Sequence, residues 1–251
     1  MDIFIYRVMA KNFWKIVNEV ISESDIILEV LDSRLVNETR NKEIEDKVKA
    51  SNKVLIYVLN KCDLVDIERL KKLKLKPSAY VSSQKRYGIT KLLHLILRYA
   101  KKDKNIVGVL GYPNTGKSSL VNALKGRSSA STSPISGHTK GKQIIRINKK
   151  LYLLDSPGVF PYKEKNEMKH AVTSSLDPAK VKDPELAVIE LMKSFPGKIE
   201  SYYDVPQTKS YEKTIEKIAL KNNKLLKGGV PDTETMSRII LRNWQKGKIK
   251  L

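Results

Sequence analysis

The sequence has few of the features that mark exported or membrane-spanning proteins. It contains one cysteine, Cys62, so no disulfide can form within the chain, which is typical of a reducing compartment. No apolar run approaches the length of a bilayer span. Arg7 and Lys11 also interrupt the N-terminal stretch that an export signal needs to be apolar. We therefore expect a cytoplasmic protein without membrane association.

Acidic residues are scarce compared with basic ones. The chain has 48 Lys and Arg against 27 Asp and Glu, which gives a net charge of +21. Residues 69–104 carry twelve basic residues and one acidic residue, and residues 105–154 carry no acidic residue. Clustered charge of one sign favours a nucleic-acid partner, although it does not distinguish RNA from DNA. The alternative interpretation is a lysine-rich solvated surface.

The length and the apolar pattern predict two unequal domains. A chain of 251 residues exceeds the usual size of one domain. Apolar runs predict buried strands at 25–32, 53–60 and 105–111, an antiparallel hairpin at 142–148 and 150–155, and helices at 9–22, 39–50, 89–101 and 117–126. This alternation indicates a mostly parallel α/β sheet. We place this domain at 1–162 and a helical domain, broken by Pro and Gly, at 163–251.

A phosphate-binding loop is predicted at 111–118, GYPNTGKS, between a predicted strand and a predicted helix. Its glycines allow backbone N–H groups to face phosphates. Lys117 is predicted to neutralise the β and γ phosphates and Ser118 to ligate Mg²⁺. The alternative is a solvated glycine turn before a helix. The predicted phosphate-binding residues are Gly111, Tyr112, Pro113, Asn114, Thr115, Gly116, Lys117, Ser118 and Ser119.

Two later segments offer what a phosphate loop needs beside it. The stretch LLDSPG ends a predicted strand at Asp155, which would hold Mg²⁺ through water, and places the Gly158 N–H where it would sense the γ-phosphate. The stretch SGHTKGK offers Thr139 as a second hydroxyl for the metal, in a loop rich in Ser and Thr. His138 precedes it and is not expected to act as a base.

A base-recognition loop, NKCDL at 60–64, follows a buried strand. Asp63 can accept hydrogen bonds from the ring N1–H and the exocyclic amine of guanine, which adenine lacks, so the loop predicts GTP rather than ATP. Asn60 would brace the loops, and the stem of Lys61 would lie over the base. The stretch YVSSQ at 80–84 resembles the loop of guanine-nucleotide sites whose serine, Ser82 here, supports the carboxylate and whose next backbone N–H, that of Ser83, contacts the guanine oxygen. The predicted guanine-binding residues are Asn60, Lys61, Asp63, Leu64, Ser82, Ser83 and Gln84.

The base loop precedes the phosphate loop, and this order resembles one known family. The stretches ESDIILEVLDSR and ETRN, then NKCDL, VSSQKRYGI, GYPNTGKSS, GHTKGK and LLDSPGV, and finally KLLKGGVPDTETMSRIILRNWQKGK are similar to the circularly permuted GTPases of the YlqF/YawG type, which assist ribosome assembly. The resemblance implies a circularly permuted Ras-like P-loop domain with a six-stranded mostly parallel sheet, followed by a small all-α domain. Val8 replaces the histidine that bacterial members carry before Met-Ala-Lys, so that histidine's catalytic role does not transfer.

Hydrolysis is expected to be slow. Ras-like enzymes orient the attacking water with a glutamine that follows the Gly of Asp-x-x-Gly, whereas Gly158 is followed here by Val159, Phe160 and Pro161. The resemblance implies a subclass in which a monovalent cation substitutes for an arginine finger, and it makes Asn114 a candidate K⁺ ligand. Lys117, Thr139, Gly158 and Asn114 are therefore the predicted catalytic residues, with Mg²⁺ and GTP or GDP as ligands and K⁺ as a further candidate.

The predicted partner is ribosomal RNA or a large-subunit precursor, bound in the GTP state. We expect a monomer without DNA sequence specificity. Two alternatives are a GTP-sensing RNA chaperone with little catalysis and a GTPase of tRNA modification. The candidate RNA contacts are Lys71, Lys72, Lys74, Arg86, Lys101, Lys102, Lys149, Lys150, Arg238, Arg242, Lys246, Lys248 and Lys250.

Overall fold

The computed structural model describes residues 14–126, 143–155, 172–173 and 177–251. The chain divides into two compact units, Met1–Glu164 and Lys165–Leu251. Across the described ranges, no helix combines the length and apolarity of a membrane span.

The first unit is built on a six-stranded sheet, which confirms the predicted fold class. The strands are β1 Ile26–Asp32, β2 Val54–Asn60, β3 Ser78–Tyr80, β4 Asn105–Leu110, β5 Gln143–Arg146 and β6 Leu151–Asp155. Their order is β3-β2-β1-β4-β6-β5, and only the β5–β6 pair is antiparallel. The predicted hairpin is therefore present at one edge. Because β4 lies between β1 and β6, the loop that follows it lies next to the ends of both neighbours.

Helices cover both faces of this sheet, because its central strands are apolar on both sides. The helices are α1 at 14–23, α2 Val36–Thr39, α3 Lys42–Ala50, α4 Ile67–Lys71, α5 Ile89–Tyr99 and α6 Lys117–Lys125. Ile27 packs with α1 and α3, whereas Ile26 and Leu28 pack with α5 and α6. The alternation of β1 side chains thus serves two separate cores, as expected for a strand buried on both faces.

The predicted helix at 39–50 is interrupted, because a buried carboxylate binds the backbone at Asn41. Glu29, fully buried in β1, accepts a hydrogen bond of 2.8 Å from the Asn41 backbone N–H. The Asn41 side chain then caps α3 by accepting from the Ile44 N–H at 3.2 Å. Burial raises the pKa of Glu29 to about 8.

The segment between α5 and β4, which joins the base half of the sheet to the phosphate half, is held by side-chain hydrogen bonds. Asn105, at the start of β4, accepts from the Lys102 backbone N–H at 3.2 Å and donates to the Lys102 carbonyl at 2.7 Å. Asp25 accepts from the Ile106 N–H at 2.9 Å and pairs with the Lys102 ammonium at 2.7 Å. These bonds fix the turn that leads from α5 into β4, so the base half of the fold can precede the phosphate half without disturbing the sheet.

The second unit is helical in its described residues. Its helices are α7 Pro184–Ser194, α8 Lys198–Tyr203, α9 Tyr211–Lys221 and α10 Thr233–Gln245. Helix α10 packs against α7 and α9. Its Trp244 is buried, lies 5.0 Å from the Phe195 ring and donates to the Val172 carbonyl at 2.9 Å. The side chains of Asp183, Ser210 and Asp232 cap α7, α9 and α10.

The spacing of apolar residues in this unit predicts that Leu225 continues the helix of Ile215 and Ile218, and that Ile239 packs inward with Met236 and Ile240. The structure differs from this prediction at Leu225 and at Ile239. Leu225 does not continue α9, because that helix ends at Lys221 and Asn223 adopts a positive φ of 52°. Leu225 instead lies in a short hairpin and is 46% exposed. On α10, Met236 and Ile240 are buried as expected, whereas Ile239 is only partly buried.

Candidate nucleotide-binding site

The two predicted loops meet at the carboxyl edge of the sheet. The phosphate loop follows β4, and the base loop follows β2, with β1 between these two strands. Ligands of parallel α/β sheets bind at this edge, where the strand order reverses. The sheet therefore brings together motifs that are about fifty residues apart in the sequence.

Glycine is required at both ends of the phosphate loop. Gly111 has φ +144°, and a Cβ there would lie 2.4 Å from the Val30 carbonyl oxygen. Gly116 has φ +95°, and a Cβ there would lie 2.2 Å from Nδ2 of Asn60. Both positions need a positive φ and close backbone contact, which only glycine allows without strain. The exposed Asn114 at the loop tip has φ +58°.

Lys117 begins α6 and lies over its own loop. Its side chain is 6% exposed, and its ammonium donates to the Tyr112 carbonyl. The fully buried Thr115 hydroxyl donates to the same carbonyl at 2.9 Å. These contacts hold the loop around the N-terminus of α6, where backbone N–H groups and the helix dipole favour an anion.

Asn60 connects the base loop to the phosphate loop. Its amide Nδ2 donates to the Thr115 carbonyl at 2.8 Å. Its Oδ1 accepts from the Ser83 backbone N–H at 3.1 Å and from the Ser83 hydroxyl at 2.8 Å. One buried side chain therefore joins the base loop, the phosphate loop and the loop at 82–84.

Asp63 lies in a short 3₁₀ turn, Cys62–Leu64, that follows a left-handed residue, Lys61, with φ 59°. The Cys62 N–H donates to the Val81 carbonyl at 3.0 Å, which ties this turn to the loop after β3. The Asp63 carboxylate is 18% exposed and lies 3.3 Å from the Lys85 ammonium. The carboxylate is therefore accessible at the surface of the loop, and Leu64 is buried beneath it.

The loop at 82–84 is placed beside Asn60. Ser82 and Ser83 are buried, whereas Gln84 is exposed. The Ser82 hydroxyl accepts from the Lys85 N–H at 3.3 Å. The Ser83 N–H points to Asn60. Its predicted contact with the guanine oxygen stays a prediction. The predicted support of Asp63 by Ser82 also stays a prediction.

A buried ion cluster, which the sequence motifs do not indicate, lies beside the base loop. The Asp32 carboxylate, at the end of β1, accepts from the Lys61 ammonium at 2.8 Å and pairs with the Arg34 guanidinium at 2.7 Å. Burial alone would raise the pKa of Asp32, but the two neighbouring cations lower it below its usual range. A carboxylate directly after an apolar strand, next to the strand that carries NKxD, is the signal that could have revealed it.

The described residues suit Mg²⁺ bound together with phosphates. Ser118 is exposed in the first turn of α6, and β6 ends at Asp155 beside β4. Within the described ranges no group of three or more metal-ligating side chains occurs. Mg²⁺ that binds together with a nucleotide commonly takes one or two protein oxygens and completes its coordination with phosphates and water. Thr139, His138, Gly158 and Pro161 lie outside the described residues.

The candidate RNA contacts are nearly all solvent-facing. Every one of them is exposed except Arg238. The Arg238 guanidinium donates to the carbonyls of Pro178, Ala179 and Val181 and pairs with Glu234 at 2.8 Å. Because its hydrogen bonds are made within the second unit, Arg238 is a structural residue, and we remove it from the proposed RNA surface.

Comparison with known proteins finds relatives that are described as GTPases or GTP-binding proteins. Residues 106–225 match the model of a family described as 50S ribosome-binding GTPase. The chain is 37% identical over 246 residues to an uncharacterized GTP-binding protein of Methanocaldococcus jannaschii, covering 94% of this chain and 65% of that protein. It is 33% identical over 255 residues to nucleolar GTP-binding protein 2 of Saccharomyces cerevisiae, covering 96% of this chain and 52% of that protein. The chain thus spans just under two thirds of the first relative and about half of the second.

Two solved structures share the fold. GNP-bound YlqF from T. maritima superposes with a TM-score of 0.66 at 23% identity, covering 94% of each chain. GDP-bound YlqF from the same source gives a TM-score of 0.65 at 24% identity, covering 92% of this chain and 94% of that chain. At this level of identity, the likeness concerns the fold alone.

Proposed function

We propose that this chain is a circularly permuted GTPase of the YlqF/YawG type, that it hydrolyses GTP slowly and that it acts in assembly of the large ribosomal subunit. In this proposal the GTP-bound protein binds ribosomal RNA or a pre-ribosomal particle. The observation that carries the nucleotide part is the Asn60 amide, which joins the base loop to the phosphate loop at 2.8 Å. One molecule of GTP would span these two loops.

Guanine would be selected by Asp63 and held by Lys61. The carboxylate accepts from two guanine N–H groups, and adenine would leave it without these partners. Leu64 anchors the turn in the core, while Ser82, Ser83 and Gln84 complete the loop around the base. Because Asn60 fixes the distance between the loops, a base bound at Asp63 determines where the phosphates lie.

The triphosphate would bind around the N-terminus of α6. Lys117 neutralises the β and γ phosphates, and backbone N–H groups from Gly111 to Ser119 surround them. Ser118, Thr139 and Asp155 would hold Mg²⁺, which would neutralise charge on the phosphates. The Gly158 N–H would sense the γ-phosphate, and Asn114 would ligate a K⁺ ion that supplies positive charge in place of an arginine finger. No glutamine follows Gly158, whose next residues are Val159, Phe160 and Pro161, so no side chain there orients the water and intrinsic turnover is slow.

The RNA would bind to basic residues of both domains, 1–162 and 163–251. The chain carries a net charge of +21, and phosphate contacts from Lys and Arg supply most of the affinity for nucleic acid. We propose that the protein works as a cytoplasmic monomer.

The switch segment that follows Asp155 continues into the helical domain, so hydrolysis would reposition those helices through one short connection.

Nucleotide-dependent binding to ribosomal subunits tests this function. We expect the full chain to cosediment with purified large subunits at least about tenfold more tightly with a non-hydrolysable GTP analogue than with GDP. Lys72→Glu/Lys74→Glu should weaken this binding strongly at low salt, since each change reverses a proposed phosphate contact. Lys42→Glu/Lys49→Glu on α3 alters two other exposed lysines by the same charge and should leave binding nearly unchanged. Equal binding in the two nucleotide states would refute the proposal.

The rate of GTP turnover separates the alternatives. We expect slow multiple turnover that is accelerated about tenfold or more by large subunits, and faster in KCl than in NaCl. Asn114→Ala should abolish the difference between the two salts while nucleotide binding persists. Turnover that subunits do not increase would favour the GTP-sensing chaperone. Acceleration by tRNA instead of subunits would favour tRNA modification, and equal rates in the two salts would remove K⁺ from the mechanism.

A further inference from the structure

The ion cluster at the end of β1 is built from two charged side chains that the proposed function does not use. Asp32 lies opposite Asn60 in the parallel register of β1 and β2, directly beside the base loop. Its carboxylate is 1% exposed, and the side chain of Arg34 is fully buried. Arg34 binds it twice, from Nε at 3.0 Å and from Nη2 at 2.7 Å.

Lys61 reaches this carboxylate from the base loop. Its ammonium donates to Oδ2 of Asp32 at 2.8 Å, and its side chain is 17% exposed. The backbone supports the same geometry, since the Ser33 N–H donates to the Asn60 carbonyl at 2.8 Å and extends the β1–β2 pairing to the loop. The far end of the Lys61 side chain is thus fixed, and its methylene stem is directed by that anchor.

A buried ion pair is weak evidence for stability, because desolvation of the charges offsets their attraction. The presence of a buried ion pair is better explained where the pair holds its side chains in one conformation. Lysine carries much rotamer entropy, and ordering its stem at the moment of binding weakens affinity. A stem that is already ordered avoids this loss.

We propose that Asp32 and Arg34 are positioning residues for guanine recognition. Asp32 holds the Lys61 ammonium, so that the lysine stem is preorganised against the face of the base. Arg34 holds the two oxygens of Asp32 in one orientation and keeps the carboxylate ionised. This inference rests on the proposed function, which makes Lys61 part of the base site.

A double-mutant cycle on nucleotide affinity tests the inference. The variants are Lys61→Met, Asp32→Asn/Arg34→Met and the triple variant, each measured with a fluorescent GDP analogue. We expect the first two variants each to weaken binding about tenfold, mainly through faster dissociation. The triple variant should bind the GDP analogue no more than about twofold more weakly than Lys61→Met does, because all three changes remove the same interaction. In steady-state turnover the loss should appear as a raised KM for GTP, the split expected when ground-state binding of the base is weakened.

Controls separate positioning from a merely structural role. Arg40→Met/Glu45→Gln removes another bidentate pair, of 2.8 and 2.7 Å, that lies on the α3 side and away from the base loop. It should lower the free energy of unfolding in urea without altering nucleotide affinity. If Asp32→Asn/Arg34→Met unfolds, the isosteric Asp32→Asn replaces it in the same cycle.

The outcomes distinguish this inference from the proposed function. If Lys61→Met leaves affinity for the GDP analogue unchanged, the base assignment fails and the inference fails with it. If Lys61→Met weakens binding but the effects multiply to about a hundredfold in the triple variant, the base site stands and the positioning role is refuted.

Discussion

Asp63→Asn should change the preference of the site from guanosine triphosphate to xanthosine triphosphate. The carboxylate can accept from both N–H groups of guanine, whereas an asparagine amide turns one acceptor into a donor. Hydrogen bonds to charged groups contribute about 1.5–3 kcal/mol each, so GTP affinity should fall at least about a hundredfold. Xanthine carries an oxygen where guanine carries the amine, so it accepts the new donor. Competition against a fluorescent nucleotide measures both affinities.

The surroundings of Asp63 make this substitution informative. Its ion pair with Lys85 is 3.3 Å long, and Lys85 is 59% exposed, so losing the pair should affect stability little. Asp66→Asn provides a matched control, because this exposed residue caps α4 by accepting from the Glu68 N–H at 3.0 Å. That variant should keep the preference for GTP. Unchanged GTP affinity in Asp63→Asn would remove this residue from the base site.

The sheet was largely predictable, because its central strands are long apolar runs. Five strands followed from such runs, and the reversed motif order added the sixth through the family resemblance. Strand β3, Ser78–Tyr80, has no such run, since only Ala79 of its three residues is buried. Its position depends on pairing with β2, which no local pattern reveals. Likewise, the interruption of the helix predicted at 39–50 depends on Glu29, which is distant in sequence.

The nucleotide loops were predictable for a different reason, namely that each is a contiguous string with a fixed spacing. Their joining by Asn60 could be anticipated from its motif, but its distances to Thr115 and Ser83 could not. The pairing of Asp32 with Lys61 was not predicted from the sequence, because it depends on the register of two strands. Patterns along the chain therefore predict which residues bind, whereas the residues that position them emerge from the packed sheet.

Lys117→Ala should abolish tight binding of every nucleoside triphosphate while leaving the fold intact. The lysine is buried at the start of α6, and its ammonium is directed into the phosphate loop. Removing a charge-assisted contact to two phosphates should weaken GTP and GDP at least about a hundredfold. Alanine favours helices, so α6 should persist and the circular dichroism spectrum should match that of the unsubstituted protein.

Thermal shift measurements provide the decisive comparison for Lys117. A ligand that binds only the folded state raises Tm, so GTP should stabilise the unsubstituted protein but not Lys117→Ala. Lys125→Ala, in the last turn of the same helix, should keep the full shift. In the proposed site Lys117 contacts the phosphates and Asp63 contacts the base. Lys117→Ala should therefore bind neither GTP nor xanthosine triphosphate tightly, whereas Asp63→Asn should bind xanthosine triphosphate in place of GTP. A full GTP-induced shift in Lys117→Ala would mean that the loop at 111–118 does not bind the phosphates.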